Sequence, residues 1–455
     1  MGCGASTPAN NGAEARDKKA TSPDTPKKMD NQLDKTEEEQ LSTEKKTDIK
    51  QTLAAAPPDK DHVRLVLGDN TTIRYAVVSR KGKDPDDKSK CNQDSYSVNE
   101  NFVGEGSALF GVYDGHGPDG APCAQFVRKR LPELIRTNTK FMMKQKQKAT
   151  TNSRDQIHFA LQQAHVDCND ELHAEQDIND KYSGTTAISV FFHDEGESIT
   201  ISNVGDSRLV LGTEVTPGQI TAVPLSKDQT PHRSEEAGRC IQAGARILSL
   251  GQIDPQNHQQ DDDGSVLDED PPRVWSKKGT YPGTAFTRSL GDSIAESLGV
   301  YAEPELLTVS LTHKEKVIVL ASDGIFDVMN NQQVVDLCHT YYHDAKLACQ
   351  ALIEECHKQW LLNEDCFEHE DAASYDDMTA ICIFLGDVPI TTATTVEIGD
   401  SGEPVGATTN EDDNRQAEAS STQDTRHPRR RRQKTLHNLE EWASETAEHD
   451  AKLSC

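Results

Sequence analysis

Three aspartates stand where an apolar strand gives way to a tight turn, and they are the first residues in the chain that could do chemistry. They lie in Phe110-Gly111-Val112-Tyr113-Asp114-Gly115-His116-Gly117, in Val319-Leu320-Ala321-Ser322-Asp323-Gly324, and in Tyr375-Asp376-Asp377-Met378-Thr379 ahead of the last apolar run. A single Asp-Gly after a strand is most often only a turn, because both residues tolerate unusual backbone angles. Three such places shift the balance. Carboxylates brought together at the ends of neighbouring strands repel one another unless cations lie between them, so converging acids call for hard divalent metals. Oxygen ligands suit magnesium or manganese, whereas zinc would favour His or Cys. His116, two residues beyond Asp114, is near enough to give a proton beside such an ion. A lone His in a turn is more often simply solvated, so its role depends on those neighbours.

The elements that would carry these residues can be read from periodicity. Apolar, β-rich runs recur at Ala108 to Tyr113, Thr186 to Phe192, Ile199 to Val204, Val317 to Ala321 and Ala380 to Leu385, and are expected to be strands. Segments with apolar residues three or four apart, Ala121 to Ile135, Arg154 to Leu172, Ser234 to Ala243, Gln332 to Tyr341 and Ala345 to Leu361, are expected to be helices. Strands and helices thus mix within one domain. No fixed-period repeat is present, which argues against a solenoid or propeller.

Composition bounds the rest. The 455 residues carry 48 Lys+Arg against 76 Asp+Glu, a net charge of −28, and only 34% are hydrophobic. So polar a chain is expected to be one sizeable domain with disordered tails. Residues 1–60 contain no aromatic residue and are expected to form a disordered arm; 61–388 form the domain; 389–455, with Trp442 as its single aromatic, form a second tail. No apolar run is long enough to span a membrane, and no secretory signal is expected. The 11 scattered cysteines suit reduced thiols in cytosol. The acidity argues against nucleic acid as a partner. The stretch Asp261-Asp262-Asp263-Gly264 to Asp270 superficially resembles a calcium loop, but a solvated acidic loop is the better reading.

Seven segments carry a resemblance: Asn92-Gln93-Asp94-Ser95, Asp114-Gly115-His116-Gly117, Ser183-Gly184-Thr185-Thr186-Ala187, Asn203-Val204-Gly205-Asp206-Ser207-Arg208, Phe286-Thr287-Arg288-Ser289-Leu290-Gly291-Asp292, Ala321-Ser322-Asp323-Gly324 and Asp376-Asp377-Met378-Thr379. Each is weak alone, but in this order they closely resemble the metal-dependent protein serine/threonine phosphatases of the PP2C type, the PPM family, from about Asp61 to Gly386. Tyr281 to Phe286 and Val300 to Glu305 look most similar to plant and protist branches. The resemblance implies an α+β fold, an α-β-β-α sandwich of two antiparallel sheets flanked by helices, with a binuclear Mg2+ or Mn2+ centre at one edge. It implies that Asp114 bridges the two ions, that Gly115 offers its carbonyl, that Asp323 and Asp376 ligate, and that Asp94 joins through the water shell. His116 would be the general acid. A further cation, seen in some relatives, would recruit Asp180. The reaction so implied is hydrolysis of phosphoserine or phosphothreonine in proteins by activated water, without a covalent intermediate.

Three departures stand out. Gln93-Asp94 replaces a common acidic pair, Asp376-Asp377 replaces the usual Asp-Asn, and the upstream phosphate-binding Arg is absent, leaving Lys88 and Lys90 to meet substrate phosphate as point charges. The first and third departures motivate an alternative, a catalytically inactive module that binds phosphoproteins or scaffolds a complex. Asp206, Arg208 and Arg288 are expected to be hydrogen-bond partners serving the fold. Glu235 to Leu248 and the acidic insertion would form the variable flap where substrate choice resides.

At the amino terminus, Met1-Gly2-Cys3-Gly4-Ala5-Ser6 matches the pattern for N-myristoylation at Gly2, with Cys3 available for palmitoylation. Two chains hold a protein stably to a membrane where one does not, so the chain is expected in the cytoplasm, on the cytosolic face of a membrane. The basic island Arg429 to Arg432, followed by Lys434 and Thr435, suits anionic lipid, nuclear import or a kinase target. Beside an acylated terminus, lipid contact is preferred.

Overall fold

The computed structural model describes residues 63–69, 71–85, 89–145, 153–254, 271–363 and 373–386. Gly2, Cys3, Lys88, the acidic insertion 261–270 and the basic island lie outside the described residues, as do both expected tails.

Two antiparallel sheets form the centre. The first has six strands in the order β1 (Val63–Gly68), β2 (Thr71–Arg80), β17 (Met378–Leu385), β16 (Glu315–Ala321), β9 (Arg208–Thr216) and β10 (Gln219–Pro224). The second has five: β15 (Glu305–Ser310), β8 (Ser198–Val204), β7 (Ala187–His193), β4 (Ala108–Tyr113) and β3 (Ser95–Glu100). Two small three-stranded sheets sit beside these, one of β11 (Arg246–Leu248), β12 (Arg273–Trp275) and β13 (Pro282–Thr284), the other of β14 (Leu290–Gly291), β6 (Gly184–Thr185) and β5 (Gly115–His116).

Side-chain alternation explains the layering. Along β17, Ile381 and Ile383 point into a core shared with Phe110, Val112, Ile188 and Ile201 of the second sheet, which is what packs the two sheets face to face. Their neighbours Ala380, Cys382 and Phe384 point the other way, onto α7 (Asn331–Thr340) and α8 (Ala345–Asn363) through Val334, Val335, Leu352 and Ile353. On the far face of the second sheet, Leu109, Tyr113 and Phe191 pack against α1 (Gly120–Gln145) and α2 (Ser153–Ala174) through Val127, Leu131, Leu161 and Leu172. A strand covered on both faces has no polar side, so it reads as an unbroken apolar run. That is why the five strands expected from the sequence were visible. Short helices complete the domain: α3 (Ser234–Gln242), α4 (Leu250–Ile253), α5 (Ser293–Glu296) and α6 (Asp323–Phe326). None of the described helices is long and apolar enough to cross a membrane.

The pattern did not reveal β2, whose run is broken by Arg74. That side chain is nonetheless buried, with Nη1 donating to the Tyr342 carbonyl at 2.8 Å, Nε to the Gly386 carbonyl at 3.2 Å, and the guanidinium over the Tyr342 ring at 4.9 Å. Its charge is met by carbonyls and an aromatic face, so a basic residue is tolerated inside.

Candidate active site

Register brings the acids to one end of the sandwich. Ala321 of β16 pairs with Ala380 of β17 and Arg208 of β9, so Asp323, Asp376 and Asp206 all lie just past the same end of the first sheet. In the second sheet Ser95 pairs with Tyr113, which sets Asp94 beside Asp114. The two groups are stitched together by Ser322, whose Oγ donates to Asp94 Oδ2 at 2.8 Å while accepting from the Thr379 amide at 3.0 Å. Thr186 clamps the Asp114 backbone on both sides, accepting from its amide at 3.0 Å and donating to its carbonyl at 2.8 Å. Gly115 must be glycine, because a Cβ there would collide with the carbonyls of Gly120 and Gln93.

The electrostatics follow from this crowding. Asp94 is buried, while Asp114, Asp206 and Asp323 are partly exposed. Burial pushes the Asp94 carboxyl up to about 7, against hydrogen bonds from Thr379 and Ser322 and with Asp377 and Asp323 adding repulsion. Burial and Asp376 take Asp323 up to about 6. Asp114 is held well above the carboxylate range by burial and by Asp323, to which it is hydrogen-bonded. Two bare carboxylates about 4 Å apart would repel by about 4 kcal/mol near a protein surface. A shared proton would relieve that repulsion, and a cation would relieve more of it.

Asp94 Oδ1 and Asp323 Oδ1 are buried without a hydrogen-bond partner. Acceptor atoms left open in this way, on oxygen-only donors, fit a hard cation. Among the described residues no three His, Cys, Asp or Glu side chains enclose an ion by themselves. Mg2+ keeps several waters and is usually held by one or two carboxylates, so a hydrated ion suits these acids better than a closed cage does.

The remaining expected residues divide. Asp376 lies at the rim, its side chain 49% exposed, and accepts from Lys90 Nζ at 3.1 Å. Burial opposes the Lys90 charge, but Asp376, Asp377 and Asp114 outweigh it and raise its pKa. Asp377 does different work, accepting from the Gly82 amide at 2.5 Å and the Gln93 amide at 2.8 Å. Gln93 turns its amide to the Gly117 carbonyl, donating at 2.7 Å. Asp180 is not gathered with the acids; it pairs with His173 and accepts from Ser293 Oγ at 3.3 Å.

His116 has a partner the sequence reasoning missed. Its Nε2 lies 2.6 Å from Asp292 Oδ2, and its ring packs on Phe286 with centroids 4.3 Å apart. Ser289 Oγ donates to the same carboxylate oxygen at 2.7 Å. Burial pulls the imidazole pKa down, but Asp292, with Asp206 and Asp323 behind it, reverses the shift and raises it. Asp206, expected only to serve the fold, is pushed up to about 7 by burial, Asp323 and Asp228, which puts it in the field of the same acids. Arg208 and Arg288 hold the fold as expected, pairing with Asp228 and Glu236, each at 2.6 Å. The signal for Asp206 was present, since the run Ile199 to Val204 leads through Gly205 to an aspartate, whereas Asp292 follows Thr287-Arg288-Ser289-Leu290-Gly291 and no apolar run marks it.

The family model described as protein phosphatase 2C matches residues 86–361. The chain belongs to the protein phosphatase 2C family. "Probable protein phosphatase 2C 35" of Arabidopsis thaliana is 40% identical over 319 residues, 69% of this chain and 84% of the relative. "Probable protein phosphatase 2C 64" of Oryza sativa subsp. japonica is 30% identical over 338 residues, 72% of this chain and 70% of the relative. In fold, the chain is similar to the crystal structure of serine-threonine phosphatase 2C from Toxoplasma gondii, with a TM-score of 0.56 at 19% identity, covering 72% of this chain and all of that one. The two antiparallel sheets with helices outside are the protein phosphatase 2C fold.

Proposed function

We propose that this protein phosphatase 2C member is an active, divalent-metal-dependent protein serine/threonine phosphatase. One observation carries the proposal: Asp94, Asp114, Asp206 and Asp323 arrive from the ends of both sheets within one another's field, with His116 and Lys90 at hand. In this reading Asp114, Asp323, Asp376 and the Gly115 carbonyl would hold two Mg2+ or Mn2+ ions, with Asp94 acting through their water shell. Such ions, when bound, offset the carboxylate charge, acidify water and clamp phosphate oxygens.

The chain's own groups supply the rest. Lys90, at the rim beside Asp376, meets substrate phosphate as a point charge. Its partner Lys88 is proposed for the same task. His116, whose pKa Asp292 raises against the effect of burial, gives a proton to the leaving seryl or threonyl oxygen. Because Nε2 is held against the Asp292 carboxylate, the transferable proton is the one on Nδ1. Gln93, bound to the Gly117 carbonyl, leaves the acids undisturbed, so its replacement of an acid does not argue for inactivity. Asp180 is retained only as a candidate for a further cation, one that would compete with His173.

The test is turnover of a phosphothreonine peptide by the purified chain with and without Mn2+, alongside Asp114→Ala. Metal-dependent release of phosphate, lowered at least about a hundredfold in the variant, is expected. Metal-independent turnover, or none, would contradict the reading. We further propose that acylation at Gly2 and Cys3 tethers the enzyme to the cytosolic face of a membrane, with Arg429 to Arg432 adding contact with anionic lipid.

A further inference from the structure

On the outer side of the second sheet a groove of about 430 Å³ runs between strand β3 and helix α1, lined by Tyr96, Asn99, Arg128, Lys129, Glu133 and Arg136 among others, the one acid among them, Glu133, being paired with Arg130. Its charge is unusual for this molecule. The chain carries −28 overall, yet α1 holds six basic residues against the single acid Glu133. Most neighbouring cations are already committed: Arg130 pairs with Glu171 and Glu133, and Arg136 Nε donates to the Phe102 carbonyl at 2.9 Å. Arg128 and Lys129 are exposed. Among the described residues Lys129 makes no ion pair, and Arg128 is engaged only through the Tyr96 ring, 5.5 Å from its guanidinium.

The other wall can bond to an extended chain. β3 is the edge strand of its sheet, so half its backbone polar groups lack a strand partner. It contributes the consecutive residues 96–99 to the lining. Side chains alternate along a strand, so consecutive residues line one groove only where that groove follows the strand's edge. Pro132, in the facing helix, has no N–H and cannot satisfy the Arg128 carbonyl.

The groove also starts at the right place. β3 begins immediately after Asp94, and α1 begins at Gly120, which packs against Gly115. Tyr96 therefore lies about 7 Å of strand from Asp94, and Asn99 about 17 Å. Resting on the phosphatase reading, we propose that this groove docks an extended acidic segment of the phosphoprotein substrate, lying some two to six residues from the phosphorylated one, with carboxylates on Arg128 and Lys129 and main chain along β3. The concave shape and open strand edge favour a peptide over a lipid surface.

The test compares three substrates with the full chain: a phosphothreonine peptide with an acidic extension, the same peptide with a neutral extension, and p-nitrophenyl phosphate. Fluorescence anisotropy of the unphosphorylated acidic peptide measures docking without chemistry. Arg128→Glu with Lys129→Glu is expected to lower kcat/KM for the acidic peptide about tenfold, as two partly screened ion pairs allow. It should weaken the anisotropy signal alike and leave the other two substrates unchanged. Equal turnover of both peptides by the unaltered protein, or equal loss on all three substrates, overturns the proposal. So does a variant that loses only binding to phosphatidylserine vesicles, which would make the groove a lipid contact. Docking of the acidic peptide by a protein that turns over no substrate would sink the phosphatase reading while leaving the docking site standing.

Discussion

Asp292 and Asp377 are the residues whose substitution separates chemistry from scaffolding. Asp292→Asn keeps the side chain's shape but removes the anion that offsets the burial of His116. The imidazole pKa then falls, so the variant should lose activity at lower pH on the alkaline side of its pH–rate profile, with kcat down about a hundredfold. An unshifted profile would remove His116 from the reaction. Asp377→Ala strands the Gly82 and Gln93 amides, and thermal unfolding should show a loss of about 2 kcal/mol, whereas Asp376→Ala, at the exposed rim, should leave stability nearly unchanged and act on turnover. The sequence made Asp114 and Asp323 legible because each follows a long apolar run. It could not rank Asp376 against Asp377, since the difference lies in which carboxylate the amides of a distant segment claim.

At the scale of elements, α3 is pinned by one buried acid. Glu236 takes hydrogen bonds from Arg288, Arg239 and Thr287. Burial alone would raise its pKa, but Arg288 and Arg239 outweigh this and hold it at about 2. A depressed carboxylate contributes stability that is complete above the ordinary value of 4.5 and lost as pH falls toward 2. Glu236→Ala should cost about 3 to 5 kcal/mol by denaturant unfolding, since it leaves buried guanidinium groups unpaired. Helix α2 has its own acid limit. His165 is fully buried, Nδ1 donating to the Leu161 carbonyl at 2.8 Å, and burial lowers its pKa to about 4. The unfolded chain therefore binds a proton first, and stability should fall by up to about 3 kcal/mol between pH 6.5 and 4, a loss that His165→Gln would flatten in a pH series of melting curves. Doubly covered strands such as β16 and β17 were legible as apolar runs; β2 was not, because Arg74 interrupts a pattern that only tertiary partners make acceptable, and β9 was not, because its apolar run is only Leu209 to Leu211 before Gly212.

Across the whole molecule, the sandwich holds its acids at one end and a basic groove along an outer side, in a chain of net charge −28. Fold and family were legible because seven short segments keep their order, each marking a turn or strand end that the two sheets need in register. Docking was not, since a groove between a strand edge and a helix has no signature in either element alone. If the amino terminus is acylated, Gly2→Ala should move the enzyme from the membrane to the soluble fraction of lysed cells; unchanged fractionation would refute the tether. The central claim is that the strand-end aspartates gather to hold divalent cations, and calorimetric titration of Mn2+ into the metal-free chain tests it without reference to turnover. The account predicts saturable binding weakened at least about tenfold by Asp114→Ala or Asp323→Asn with the fold intact by circular dichroism. Binding that is absent, or equally tight in both folded variants, would contradict it.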